Sequence, residues 1–127
     1  MRKFKLRTYI FIAVAAIIGV FVYWGSLPAA PGKYDDFAKC IKDSGAIFYG
    51  AFWCPRCQSQ KAMFGNSARL LPYVECSLPG GSGQTPVCIA NGIRGYPAWV
   101  FKDGSRLSGE IPFATISEKT GCALPQQ

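Results

Sequence analysis

The 127-residue chain carries a formal charge of +7 and contains no histidine. That length suits one small domain plus an appendage, and the missing imidazole excludes His-ligated zinc or copper, Cys–His dyads and Ser–His–Asp triads. From Pro28 onward ten Lys and Arg face seven Asp and Glu. This is an ordinary solvated surface, without the basic, aromatic-interleaved stripe that nucleic-acid binding needs.

The appendage comes first. Arg2, Lys3, Lys5 and Arg7 precede an uncharged run from Tyr9 to Leu27. Nineteen residues at about 1.5 Å each come close to the ~30 Å thickness of a hydrocarbon core. Tyr9 at one end and Tyr23 with Trp24 at the other suit the two membrane interfaces, and the basic cluster is expected to stay cytoplasmic. Everything after Leu27 is then exported. A cleaved signal peptide is the rival reading. The run is longer than the usual apolar region of such peptides, and the small pair Ala29-Ala30 is boxed between Pro28 and Pro31. The expected organisation is a basic cytoplasmic tip and transmembrane signal-anchor over 1–27, a stiff linker over 28–32 and a folded domain over 33–127. The domain is expected outside the cell membrane, periplasmic or at the cell surface, on a single-pass anchor.

Within the domain, Tyr34, Phe37, Ala38 and Ile41 fall at helical spacing over Lys33–Ser44, and Gly45 ends that helix. Ala46–Phe52 reads as a buried strand. Pro55 fits the first position of a helix that runs to about Gly65-Asn66, with another turn over Ser67–Leu71. Tyr73–Cys76 is a short strand and Ser77–Thr85 a Gly-rich loop. Pro86–Ala90 is a short helix stopped at Asn91-Gly92. Ala98–Phe101 and Arg106–Glu110 are strands joined by a KDGS turn, and Pro112–Thr120 is a closing helix. Strands alternating with helices predict an α/β fold with a mixed sheet of about four strands flanked by helices. Trp99, Phe101, Tyr73 and Met63 are expected in its core.

All six cysteines, Cys40, Cys54, Cys57, Cys76, Cys88 and Cys122, lie after the leader. An even count in a small exported domain points to disulfides. In GAFWCPRC, Cys54 stands after a strand and before Pro55, at a helix N-terminus whose free N–H groups favour an anion. Its sulfur is the expected exposed nucleophile, with a lowered pKa. Cys57, one turn on, is the expected resolving thiol. Arg56 adds a fixed positive charge and, with Pro55, is expected to tune the pair toward oxidising potentials. Trp53 is expected to shield it. The remaining four cysteines allow three connectivities. Bridging Cys76 to Cys88 would enclose the Gly-rich loop. A four-thiolate zinc site lacks the required knuckles, so no metal and no cofactor is expected; an electron shuttle through Cys76 or Cys88 is the other alternative.

The WCPRC segment at a strand–helix junction, followed by Gly95-Tyr96-Pro97 before a strand and then a hairpin, resembles the thioredoxin superfamily. The segments FAKC, YGAFWCPRCQSQK, YVECS, PVC, GIRGYPAW and TGC, in that order, are similar to the thioredoxin-like domain fused to or partnered with bacterial vitamin K epoxide reductase homologues. The likeness covers most of residues 33–122. It implies a cis-proline at Pro97 facing the dithiol, and structural bridges Cys76–Cys88 and Cys40–Cys122. It also implies a membrane-linked disulfide-forming system, in which this domain oxidises reduced exported proteins and a quinone-linked membrane partner reoxidises it. Three positions depart from the pattern: Arg56 replaces the usual histidine, Phe48 stands where reducing thioredoxins carry a buried acid, and Ala98 replaces the more usual threonine.

The expected function is therefore a membrane-anchored thiol-disulfide oxidoreductase acting as a disulfide donor. The alternatives are an extracytoplasmic reductant or isomerase fed electrons through the membrane, and a non-catalytic binding module in which all six cysteines are structural.

Overall fold

The computed structural model describes residues 2–125, with side chains from Leu6 onward. The side chains of Arg2, Lys3 and Lys5 in the expected cytoplasmic tip, and the last two positions of the expected 33–127 domain, lie outside the described residues. The chain divides into two units, Met1–Ala30 and Pro31–Gln127.

The first unit is one helix, α1 (Arg2–Gly25). Its stretch Leu6–Gly25 has a mean hydropathy of 2.1 and is long and apolar enough to cross a membrane. The helix begins earlier than the uncharged run because Arg and Lys are good helix formers. It ends before Leu27, where Ser26 closes it by donating its hydroxyl to the Val22 carbonyl at 2.7 Å.

The second unit is built on a four-stranded sheet. Its elements are α2 (Asp35–Asp43), β1 (Ile47–Gly50), α3 (Pro55–Phe64), a 3₁₀ turn (Gly65–Leu70), β2 (Tyr73–Glu75), α4 (Pro86–Ala90), β3 (Ala98–Val100), β4 (Arg106–Ser108) and α5 (Phe113–Thr120). The strand order is β2-β1-β3-β4. β1 pairs with β2 in parallel, and the other two ladders are antiparallel. This is the α/β mixed sheet the alternation of elements predicts. Each strand is shorter than its apolar run, because the ends turn away to form the loops around the dithiol and the β3–β4 hairpin. In that hairpin Gly104 takes a φ of 80°, and Ser105 N–H is held by the Asp103 carboxylate at 2.8 Å.

Alternation along the strands feeds two cores. Phe48 and Trp99, register partners on β1 and β3, stack at 4.7 Å on one face. Against that face pack Phe37, Ala38 and Ile41 of α2, Phe64 of α3 and Ile116 of α5. Phe113 binds the three helices through ring contacts with Tyr34, Phe37 and Phe64 at 5.1, 5.3 and 4.7 Å. On the opposite face Tyr49 and Ala98 pack with Cys76, Cys88 and Ile93.

Among the polar side chains buried at the first core, Gln60 links two elements. Gln60 of α3 is fully buried, and its side-chain amide makes a two-way bond with the Ile111 backbone. Ile111 N–H donates to Gln60 Oε1 at 2.7 Å, and Gln60 Nε2 donates to the Ile111 carbonyl at 3.1 Å. This pair ties the helix that carries the dithiol to the chain leaving β4. Gln60→Leu keeps the volume but strands both Ile111 groups. It is expected to destabilise the domain by about 2 kcal/mol, read as a lower urea midpoint with an unchanged slope.

Candidate active site

β1 ends at Gly50, and the chain turns through Ala51–Trp53 into α3. Cys54 is the N-cap of α3 and Pro55 its first residue, where the missing N–H costs nothing. The Cys54 sulfur accepts the Cys57 N–H at 3.3 Å. A sulfur placed this way receives a backbone donor and the positive end of the helix. Both cysteines carry free thiols. The sequence expectation of an exposed nucleophile is corrected in degree: Cys54 is 5% exposed and Cys57 1%. The order of access is the expected one, with Cys54 toward solvent and Cys57 beneath.

Burial pushes the Cys57 thiol up to about 12, helped by its contact with Cys54. A thiol held in this way keeps its proton at neutral pH unless a neighbour removes it.

The flanking residues fall as follows. Trp53 is half exposed, and its Nε1 donates to Ser77 Oγ at 2.9 Å. Its ring meets Tyr96 edge-on at 6.0 Å. It also lies beside Gly81, whose φ of 75° suits a glycine. Arg56 is exposed and forms no ion pair among the described residues. Pro97 is fully buried after a cis Tyr96–Pro97 bond, and its carbonyl accepts Gly109 N–H at 2.9 Å. Phe48 sits wholly in the apolar core, stacked on Trp99.

The other four cysteines form two bridges, Cys40–Cys122 and Cys76–Cys88. Cys76 and Cys88 are fully buried, which leaves no path for an external thiol to reach them. Their bridge backs the loop that carries Ser77. On the same loop Gln84 Nε2 donates to the Ile93 carbonyl at 2.7 Å and to the Tyr96 hydroxyl at 2.9 Å. The stapled loop thus supports both Trp53 and Tyr96. Cys40–Cys122 instead joins α2 to the segment after α5, where Gly121 takes the left-handed φ of 72° that ends the helix.

Sequence reasoning missed three residues beneath Cys57. Tyr73, expected in the core, is only partly buried, and its hydroxyl donates to Glu75 Oε2 at 2.7 Å. Glu75 Oε1 accepts the N–H groups of Phe52 and Ser77 at 3.2 and 2.8 Å. Lys61, one turn beyond Cys57 on α3, places its Nζ 3.2 Å from the Tyr73 ring centroid. Gly50 makes this packing fit. A Cβ there would lie 2.8 Å from Tyr73 Cε2 and 3.1 Å from Cys57 Sγ. The signals in the sequence are the i, i+2 pairing of Tyr73 with Glu75 on a strand and the i, i+4 pairing of Cys57 with Lys61 on a helix, each of which puts two side chains on one face.

A free dithiol at a helix N-cap on a mixed sheet, with Trp53 meeting the tyrosine that precedes a cis-proline, is an arrangement suited to thiol-disulfide chemistry. No protein-family model matches the chain. Over 93 residues the chain is 44% identical to "Thiol-disulfide oxidoreductase LTO1" of Arabidopsis thaliana, an alignment covering 70% of this chain and 24% of that protein. The chain spans about a quarter of the length of this curated relative. The similarity supports a thioredoxin-like redox protein.

Proposed function

We propose that the chain is a membrane-anchored thiol-disulfide oxidoreductase that donates disulfides to reduced exported proteins. The observation that carries this reading is the division of labour in the dithiol. Cys54 is the more accessible sulfur and holds a helix N-terminal donor, whereas the buried Cys57 is held as a thiol. In an oxidised pair a substrate thiolate attacks Cys54, Cys57 leaves, and a second substrate thiol displaces Cys54 to complete the new disulfide. In this reading the Cys57 N–H donor at the helix end and the Arg56 charge two residues after Cys54 bias the pair toward oxidation of its partners. Phe48 leaves no acid at the position that serves reducing thioredoxins.

In this reading residues 1–27 are the signal-anchor with a cytoplasmic N-terminus, 28–32 the linker and 33–127 the catalytic domain, outside the membrane. Pro97 borders the bound substrate strand, and Trp53 shields the dithiol. A vitamin K epoxide reductase-like or other quinone-linked membrane oxidase restores the disulfide.

The test is the reduction potential of the Cys54–Cys57 pair, measured on the full chain in detergent micelles equilibrated with glutathione. The expected value lies nearer about −120 mV than the about −270 mV of thioredoxin. A value at the thioredoxin end would transfer the chain to the reductants fed from the cytoplasm.

A further inference from the structure

The exchange reaction proposed above leaves one proton unassigned. When Cys54 carries a mixed disulfide, Cys57 must lose its proton before it can attack. Phe48 stands at the position of the acid that would take it, and Phe48 offers no acceptor. The groups that face Cys57 are Cys54 on its own helix, Lys61 one turn further along that helix, and Tyr73 with Glu75 on β2.

We infer that Lys61 is the proton carrier for Cys57, held in place by Tyr73 and Glu75. This rests on the thiol-disulfide reading of the dithiol. Cys57 and Lys61 stand four apart on α3 and so share a face of that helix. The Lys61 ammonium is seated on the Tyr73 ring at 3.2 Å. That ring and the Cys57 sulfur border the same gap, the one left by Gly50. Tyr73 is in turn anchored through its hydroxyl to Glu75, whose other oxygen is fixed by two backbone donors.

The alternatives within the cluster fail on their chemistry. Burial and the Glu75 carboxylate push the Tyr73 phenol upward, so it keeps its proton. Glu75 already accepts three hydrogen bonds and is separated from Cys57 by the tyrosine. Burial lowers the pKa of Lys61, against the opposing pull of the Glu75 carboxylate and Cys57. Lys61 is also only partly buried, so it can exchange its proton with solvent.

The step balances without an external oxidant. The bond between Cys54 and the partner sulfur breaks, and the Cys54–Cys57 bond forms. The Cys57 proton passes to Lys61 Nζ, and the partner departs as a thiolate that takes a proton from water. In the reverse direction Lys61 returns the proton to Cys57 as it leaves.

The experiment mixes the reduced full chain, in detergent micelles, with glutathione disulfide and quenches in acid at intervals. Alkylation and mass spectrometry then separate the glutathione adduct on Cys54 from the closed disulfide. In the unaltered chain the adduct forms and closes rapidly; if no adduct forms at Cys54, the oxidoreductase reading itself falls. Lys61→Met is expected to leave adduct formation within twofold and to slow closure at least tenfold, so that the adduct accumulates. Lys61→Arg keeps the charge but cannot release a proton, and it is expected to be as slow as Lys61→Met. Closure at the normal rate in Lys61→Arg reduces the role to charge alone and overturns the inference, as does normal closure in Lys61→Met. Glu75→Gln retains an oxygen for Phe52 and Ser77, so it guards against misfolding of the lysine variants. Removing the carboxylate disfavours the ammonium, so the rising limb of closure rate against pH should move to lower pH. An unmoved limb also overturns the inference.

Discussion

Cys54→Ser is expected to abolish thiol-disulfide exchange, while Cys57→Ser converts the protein into a trap. Serine is a good N-cap, so α3 should start normally in the first variant. What disappears is the sulfur that receives the Cys57 N–H and stands closest to solvent. Cys57 cannot take over, because it is 1% exposed and its burial pushes the thiol upward. Exchange should therefore fall to the uncatalysed background, a loss on the order of a thousandfold or more. In Cys57→Ser the nucleophile remains but the internal thiol that displaces the partner is gone. Mixed disulfides should persist and appear as discrete adducts on non-reducing gels, all mapping to Cys54 by mass spectrometry. Adducts on Cys76 or Cys88 would overturn the assignment, and both of those residues are fully buried in their own bridge. An all-structural reading of the cysteines predicts no adducts at all.

The parts of this site that were legible in the sequence are those made by neighbours along the chain. A strand, a Trp-Cys-Pro-Arg-Cys run and a helix follow one another directly between Ile47 and Phe64, and their geometry follows from local rules for helix starts. The proton-handling cluster was not legible, because it is assembled by the sheet. Parallel pairing sets Gly50 beside Glu75 and Phe48 beside Tyr73, and no local pattern states that register. Tyr73, read alone, is one more core aromatic; only Gly50 and Cys57 beside it make it part of the site. Gln60 was missed for a related reason. PRCQSQKAMF has no clear apolar face, and the residues that α3 buries, Cys57, Gln60 and Phe64, include an amide whose partners lie 51 residues away. Strand lengths were overestimated because the apolar runs continue into Ala51 and Phe101, which are buried in the core although they lie beyond the ladders.

The two bridges should separate stability from function when each is removed by paired Cys→Ala substitution. Cys40–Cys122 spans 82 residues and Cys76–Cys88 spans 12. Chain-entropy arguments put the longer closure at about 4.5 kcal/mol and the shorter at about 3 kcal/mol. Loss of Cys40–Cys122 should therefore lower stability the more, measured by urea unfolding of the full chain in micelles. It should leave the exchange rate within about twofold, because the described hydrogen bonds and ring contacts of Cys54, Cys57, Trp53 and Tyr96 come from other elements than α2 and the segment after α5. Loss of Cys76–Cys88 should cost less stability and more activity. Its loop carries Ser77, which holds Trp53, and Gln84, which holds Tyr96; Ser77 N–H also fixes the Glu75 carboxylate. Freeing that loop releases both walls of the dithiol and loosens the support beneath Cys57. A fall in exchange of about tenfold is expected, accompanied by a changed Trp53 fluorescence on titration of the dithiol. If the opposite bridge governs the rate, the loop is a passive cover and the supports of Trp53 and Tyr96 lie elsewhere.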